Sequence, residues 1–253
     1  MALISIVYRL SNRRVVSSRV SVLRNQTNVF HPASSSSPCS RPLHPLTSHT
    51  MAAPSAAADI TKAGDIQNAR RIIEDSVGEK GLNLLINNAG AVRWQSFNDI
   101  TEENLLFHFT TNTVGPVMVL KEMLPLLRKS AANKTDGLSV SRSAVLNISS
   151  TAGSITTLSP SSPLGTDYLK VMGYRVSKSA LNMAMKVAAL TMTNEPGILL
   201  VNMCPGWVKT NMGTDRAILD VWDSVSDIIK TLPTLNESHH GTFLDRHGNT
   251  IPY

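Results

Sequence analysis

Leu82-Asn83-Leu84-Leu85-Ile86-Asn87-Asn88-Ala89-Gly90 is a short apolar run with little alternation, stopped by two asparagines and a glycine. Such a run suits a strand buried on both faces, as in a parallel sheet covered by helices. The pattern recurs twice. Ala144 to Ile148 ends in Ser149-Ser150, and Ile198 to Met203 ends in Pro205-Gly206. Helical patterns separate these runs. Asp65 to Val77 places Ile66, Ala69, Ile72, Ile73 and Val77 on one face. Thr101 is an N-cap followed by Glu102 and Glu103, and the helix it opens runs to Arg128, with kinks expected at Gly115-Pro116 and Pro125. A third helix carries Tyr174, with Val176, Ala180, Leu181, Ala184, Val187 and Ala188 as its apolar positions. Asp220 to Thr231 reads as a weaker helix, and Gly241 to Tyr253 as a last short strand with a turn at His247-Gly248-Asn249.

Alternating strands and helices imply an α/β fold with a doubly wound parallel sheet. Ligands of such sheets sit at the carboxyl ends of the strands. Asn87-Asn88, Ser149-Ser150 and Pro205-Gly206 all fall there, and the Tyr174 helix starts after the second of them. Tyr174 and Lys178 are one helical turn apart and share a face. A free phenol titrates near about 10, and an adjacent ammonium favours the phenolate, so the pair suits general acid/base chemistry. Taken singly, each motif also has a structural reading: a turn, a cap, a kink or a loop.

The formal charge of +6 is unevenly placed. Residues 1 to 58 hold six arginines, no lysine and no acid, and the remainder is balanced. A basic nucleic-acid face is therefore not expected. Cys39 and Cys204 suggest neither a disulfide framework nor a metal site, and no apolar run approaches the length of a membrane span. Residues 1–58 read as a disordered Arg/Ser-rich extension with a linker at Ser34 to Pro38, and their composition is that of a mitochondrial targeting segment or of a functionless extension. Met51 is a possible internal start. Residues 59–253 read as the globular domain. Trp94, Trp207 and Trp222 are read as packing residues, Trp207 also as a substrate contact, and His239, His240 and His247 as surface residues.

Asn87-Asn88-Ala89-Gly90, Asn112, Asn147-Ile148-Ser149-Ser150, Tyr174-x-x-x-Lys178 and Pro205 to Thr210, in that order, resemble the short-chain dehydrogenase/reductase family. Within it the chain looks most like the sniffer and C-factor-like carbonyl reductases, on Thr111-Asn112-Thr113, Ser177 to Asn182, Pro205 to Gly213 and Gly241-Thr242-Phe243. The resemblance implies a Rossmann-type fold and reduction of small carbonyl compounds with NADP or NAD. It makes Tyr174 the general acid, Lys178 its modulator and ribose ligand, Ser150 the substrate-oxygen donor and Asn112 the holder of a relay water. It assigns Asp59, Asn87, Ala89 and Gly90 to the adenosine side, and Pro205, Gly206, Val208 and Thr210 to the nicotinamide. It also implies a cytoplasmic protein, with mitochondrial import as the alternative, and a possible homo-oligomer.

The sequence departs from the family at its front. The first glycine is Gly64, so no Gly-rich turn for the pyrophosphate precedes Asp59. The expectation is a domain lacking the first two strands and their helices, with the strand at Leu82 to Ile86 as an exposed edge. The alternative to an active reductase is then a truncated form that cannot hold the dinucleotide. Ser150 and Tyr174 lie 24 positions apart, more than the family's commoner spacing, which implies a longer loop over the substrate mouth.

Overall fold

Successive residues of the central strands enter two different apolar clusters. In the computed structural model Leu85, Val145 and Leu200 pack on one side with Ile66, Ile73, Val119, Met123, Leu181 and Met185. Leu84, Leu146, Val201 and Met203 pack on the other, with Leu235, Leu244 and the partly buried Ile228 and Leu232. The strands are apolar on both faces because helices cover both faces. The structure describes residues 2–11, 14–24, 55–135, 137–159, 169–192 and 197–253.

The strands are β1 (Ala2–Ser11), β2 (Arg14–Arg24), β3 (Ser55–Ala58), β4 (Leu84–Asn87), β5 (Ala144–Ile148), β6 (Leu199–Cys204) and β7 (Phe243–Asp245). Their order in the sheet is β3-β2-β1-β4-β5-β6-β7. From β1 through β4, β5 and β6 to β7 every pairing is parallel. Helices α1 (Ala63–Val77), α3 (Gly115–Ala132) and α4 (Met172–Thr191) cover one face, and α5 (Val221–Thr231) contributes to the other. The expected helix and strand positions hold to within a few residues. The long helix opened by Thr101, whose hydroxyl accepts from Asn104 N, is α2 (Glu102–Phe109), then one π turn over Thr110–Val114, then α3. Pro125 lies inside α3.

Residues 2–24 differ from the expected disordered extension. They form an antiparallel hairpin whose first strand pairs parallel with β4 through Leu3↔Leu84 to Ile6↔Asn87. Ile4, Ile6, Val7, Tyr8, Val15, Val16, Val20 and Val22 are β-branched or aromatic and favour extended backbone; reading the segment for arginine and serine alone missed this. The open edge expected beside β4 is thereby paired. Only residues 12–13 separate β1 from β2 in the sequence. The serine run from Ser34, Met51, and the mouth loop beyond Ser159 lie outside the described residues.

A row of asparagines crosses the sheet. Asn87, Asn147 and Asn202 are register partners on β4, β5 and β6. Asn87 Nδ2 donates to Asn147 Oδ1 at 2.8 Å, and Asn147 Nδ2 donates to Asn202 Oδ1 at 3.2 Å. All three are buried, so each amide depends on its neighbour for the bonds it has given up in water. Replacing Asn147 with Ala strands Asn87 Nδ2 and Asn202 Oδ1 together. Urea denaturation is expected to show a loss of about 2–4 kcal/mol.

Candidate active site

Three chain segments meet at the carboxyl ends of β4, β5 and β6. After β5 the chain turns through Ser150 into a 3-10 turn over Thr151–Gly153. Ser150 Oγ caps it by accepting from Ala152 N at 3.1 Å. Gly153 then lies against α4: a Cβ on it would stand 2.7 Å from Lys178 C and 2.9 Å from Ser179 N. This contact sets the Ser150 turn beside the turn of α4 that carries Tyr174 and Lys178. Further bonds hold it. Ser149 Oγ donates to Asn182 Oδ1 at 2.6 Å, Ser179 Oγ to Gly153 O at 2.9 Å, and Arg175 Nη1 to Ala152 O at 3.1 Å.

Lys178 is buried, and its Nζ donates to Ile148 O at 2.8 Å. An ammonium has three donors, so two remain for whatever enters the cavity. Nζ stands 5.7 Å from the centre of the Tyr174 ring. On the other side of the site Asn112, in the π turn, grips Ala91 by both of its polar atoms. Its Oδ1 accepts from Ala91 N at 2.8 Å, and its Nδ2 donates to Ala91 O at 2.9 Å and to Ser177 Oγ at 2.9 Å. The π turn thus ties the loop after β4 to α4, a placement common at functional sites.

These groups open into a cavity of about 750 Å³. Of the expected site residues, Gly90, Ser150, Tyr174, Lys178, Pro205, Gly206, Val208 and Thr210 line it. Gly206 has φ 83°, and a Cβ there would meet Leu219 Cδ1 at 2.5 Å. Four expected residues are not in the wall. Asn87 belongs to the asparagine row, and Asn88 lines the cavity instead. Ala89 is buried. Asn112 acts from behind Gly90. Asp59 organises the entry to α1: its carboxylate accepts from Thr61 N and Oγ1 and pairs with Lys62 at 3.6 Å.

The electrostatics of the pair differ from the sequence expectation. Burial pushes the Tyr174 phenol up to about 12, and the opposing hydrogen bond from Ser150 does not offset it. Burial likewise pulls the Lys178 ammonium down to about 8. In the ligand-free cavity burial dominates, and it moves both groups toward their neutral forms.

Sequence reasoning missed several participants. Asn182 lies four residues beyond Lys178 on the same helical face, and that spacing was legible. His108 is buried beneath the Tyr174 ring, 6.4 Å between centroids. Its Nε2 accepts from Arg93 N and its Nδ1 lies 2.8 Å from Asn104 O, which makes it a neutral Nδ1–H tautomer. Burial lowers its pKa in the same direction. Trp94 lines the cavity and Trp222 is 79% exposed, so neither is a packing residue. His240 bridges β6 and α4 through Leu200 N and Ala189 O. Among the described residues no group of three His, Cys, Asp or Glu side chains is placed to hold a metal, and no helix is long and apolar enough to cross a membrane.

The profile of the family described as short chain dehydrogenase matches residues 20–218. This chain is a member of that family. C-signal of Myxococcus xanthus is 34% identical over 173 residues, covering 68% of this chain and 93% of C-signal. The carbonyl reductase Sniffer of D. melanogaster superposes with a TM-score of 0.70 at 36% identity, over 77% of this chain and 76% of Sniffer. The NADPH-bound carbonyl reductase from chicken fatty liver superposes with a TM-score of 0.71 at 35% identity, over 78% and 75% of the two chains. The short-chain dehydrogenase matches therefore carry the Rossmann-like sheet and the oxidoreductase class, and they include the sniffer and C-signal relatives that the motifs resembled.

Lys178 makes stability depend on pH in a direction that can be checked. Its folded pKa of about 8 is below the ordinary 10.5. Between those values the unfolded chain binds more protons than the folded one, so stability rises with pH. The cost of burying the ammonium is full below pH 8 and gone above 10.5. The melting temperature of the ligand-free protein is expected to climb between pH 8 and 10, before the Tyr174 phenol acts in the opposite sense. In Lys178→Met that climb is expected to be lost.

Proposed function

We propose that this protein is a carbonyl reductase acting on small carbonyl compounds with NADPH, or NADH in its place. One observation carries the reading: Ser150, Tyr174 and Lys178 gather in a cavity also walled by Pro205, Gly206, Val208 and Thr210. The bound nicotinamide cofactor supplies the hydride. Lys178 would hold the nicotinamide ribose with the donors that Ile148 leaves unused. The strand-end residues from Pro205 to Thr210 orient the carboxamide. Ser150 and the Tyr174 hydroxyl donate to the substrate oxygen, stabilise the charge that grows on it and, from Tyr174, deliver the proton. The Asn112 side chain is taken up by Ala91 and Ser177, so a relay water at this position would have to be held by other groups.

Tyr174→Phe is expected to lower kcat by about 10²–10⁴-fold while leaving cofactor binding intact, as measured by NADPH oxidation and by titration of bound cofactor. A variant with wild-type turnover would remove Tyr174 from the mechanism.

A second reading has its own observation. Residues 1–63 contain no glycine, and only residues 12–13 separate β1 from β2, too few for a helix whose N-terminus would face a pyrophosphate. In that reading the chain folds but holds the dinucleotide too weakly for turnover. Melting with and without millimolar NADPH or NADH separates the two, since a ligand of the folded state raises the midpoint. Our reading is a cytoplasmic protein; a reporter carrying residues 1–58 that reached mitochondria would favour the alternative.

Self-association is proposed through α4 and its neighbour. Val176, Met183, Val187 and Leu190 on α4, with Leu106 and Phe109 on α2, are exposed and uncharged, a surface a second copy would cover. Sedimentation is expected to show a dimer that Met183→Glu dissociates.

A further inference from the structure

His108 is fully buried on α2 and enters no step above. It bridges two other segments of the site. Its Nε2 accepts from Arg93 N at 2.9 Å, and its Nδ1 donates to Asn104 O at 2.8 Å. Its ring meets the Tyr174 ring edge to face, with 6.4 Å between centroids and 73° between planes. Gly173, the residue before Tyr174, lies against the same imidazole: a Cβ there would stand 2.7 Å from His108 Nδ1. Arg93 sits between Val92 and Trp94, and both of these line the cavity. The strip that carries them is anchored by Ala91 on Asn112, by Arg93 on His108, and by Gln95, whose carbonyl accepts from Met172 N at 3.2 Å at the start of α4. The middle anchor is the one that depends on a titratable group.

We propose that His108 is a positioning residue for the reduction: as a neutral imidazole it holds the Tyr174 ring and the Val92–Trp94 strip in their working relation, and its protonation releases them. The proposal rests on the carbonyl-reductase reading and adds a residue that acts through Tyr174. The ring accepts from Arg93 N only while Nε2 carries no proton. A cation at 108 would set one N–H against another in a buried place. The Arg93 guanidinium, 3.7 Å over the neighbouring Phe107 ring, would add like charge. The other titratable groups on the elements packed here are Glu102 and Glu103 on α2, the latter paired with Arg93 at 3.0 Å, and Tyr174, Arg175 and Lys178 on α4. Burial, with a smaller push from the Arg93 charge, holds the His108 pKa below its ordinary 6.5 against the bond to Asn104, so the release falls on the acid side of that value. Tyr174, at about 12, and Lys178, at about 8, titrate on the alkaline side.

The test is the pH profile of kcat and kcat/KM for 4-nitrobenzaldehyde at saturating NADPH, from pH 5 to pH 8. Wild-type turnover is expected to fall below pH 6.5 along a single-proton limb. His108→Gln keeps an oxygen that can accept from Arg93 N and does not titrate; it is expected to keep turnover at pH 7.5 and to lose the limb. His108→Phe fills the space of the ring without an acceptor and is expected to lower kcat by about 10–100-fold at pH 7.5, with KM changing far less. Glu103→Gln removes the carboxylate that faces Arg93 and is expected to keep the wild-type limb. One readout needs no variant: the imidazole ¹⁵N signals of His108 in the NADPH-bound wild type are expected to show the Nδ1–H tautomer at neutral pH and to titrate with the midpoint of the kcat/KM limb. A flat wild-type profile would overturn this proposal alone. So would a limb that persists in His108→Gln, wild-type kcat in His108→Phe, or a His108 signal that does not titrate with the limb. No turnover by the wild type at any pH would instead sink the underlying reading, and this proposal with it.

Discussion

The backbone of Gly153 lies against α4 at Lys178 and Ser179, and no side chain fits between them. The geometry of the site follows from that contact. It fixes the distance between the turn that presents Ser150 and the helix that presents Tyr174. Any larger residue at 153 would push those surfaces apart. Ser149–Asn182 and Ser179–Gly153 then set the register along the helix, and Lys178 closes the joint on Ile148 O. Ser150 and Tyr174 are thus placed relative to one another by backbone packing.

The sheet supplies the second constraint. Each central strand is apolar on both faces until its carboxyl end, where Asn87, Asn147 and Asn202 interrupt it in register. The asparagines pair with one another rather than with a ligand. Their row marks the level at which the strands stop packing against helices and start to face the cavity. Asn202 continues the row to α4 through Asn182 O at 3.4 Å, so sheet and α4 share one buried polar network. Buried networks are stable only when every member is satisfied, which makes this one a strong specifier of strand register.

The fold was legible because its signals are local. The apolar runs ending in Asn, Ser or Pro-Gly are the buried strands β4, β5 and β6, and the Thr101 cap and α1 periodicity follow ordinary helix rules. Eight expected site residues line the cavity for the same reason: strand ends are where ligands sit. The others depended on side-chain direction. Asn87 and Asn88 are adjacent, yet one points into the asparagine row and the other into the cavity; only the sheet's pleat decides which. Asp59 was assigned by resemblance, but Thr61 and Lys62 are closer partners. The hairpin over residues 2–24 was hidden because arginine and serine drew attention away from eight β-branched or aromatic residues.

Tyr-x-x-x-Lys spacing is usually argued to acidify the tyrosine. Here the spacing is present and the phenol is pushed up to about 12. The physical reason is that spacing brings charges together only if both stay charged. Burial acts on both partners in the direction of neutrality, lifting the phenol and lowering the ammonium to about 8, and Lys178 spends a donor on Ile148. Burial therefore decides the direction in which both groups move in the ligand-free cavity. A ligand that engages the two remaining Lys178 donors and the Ser150 hydroxyl restores polar partners to both groups at once.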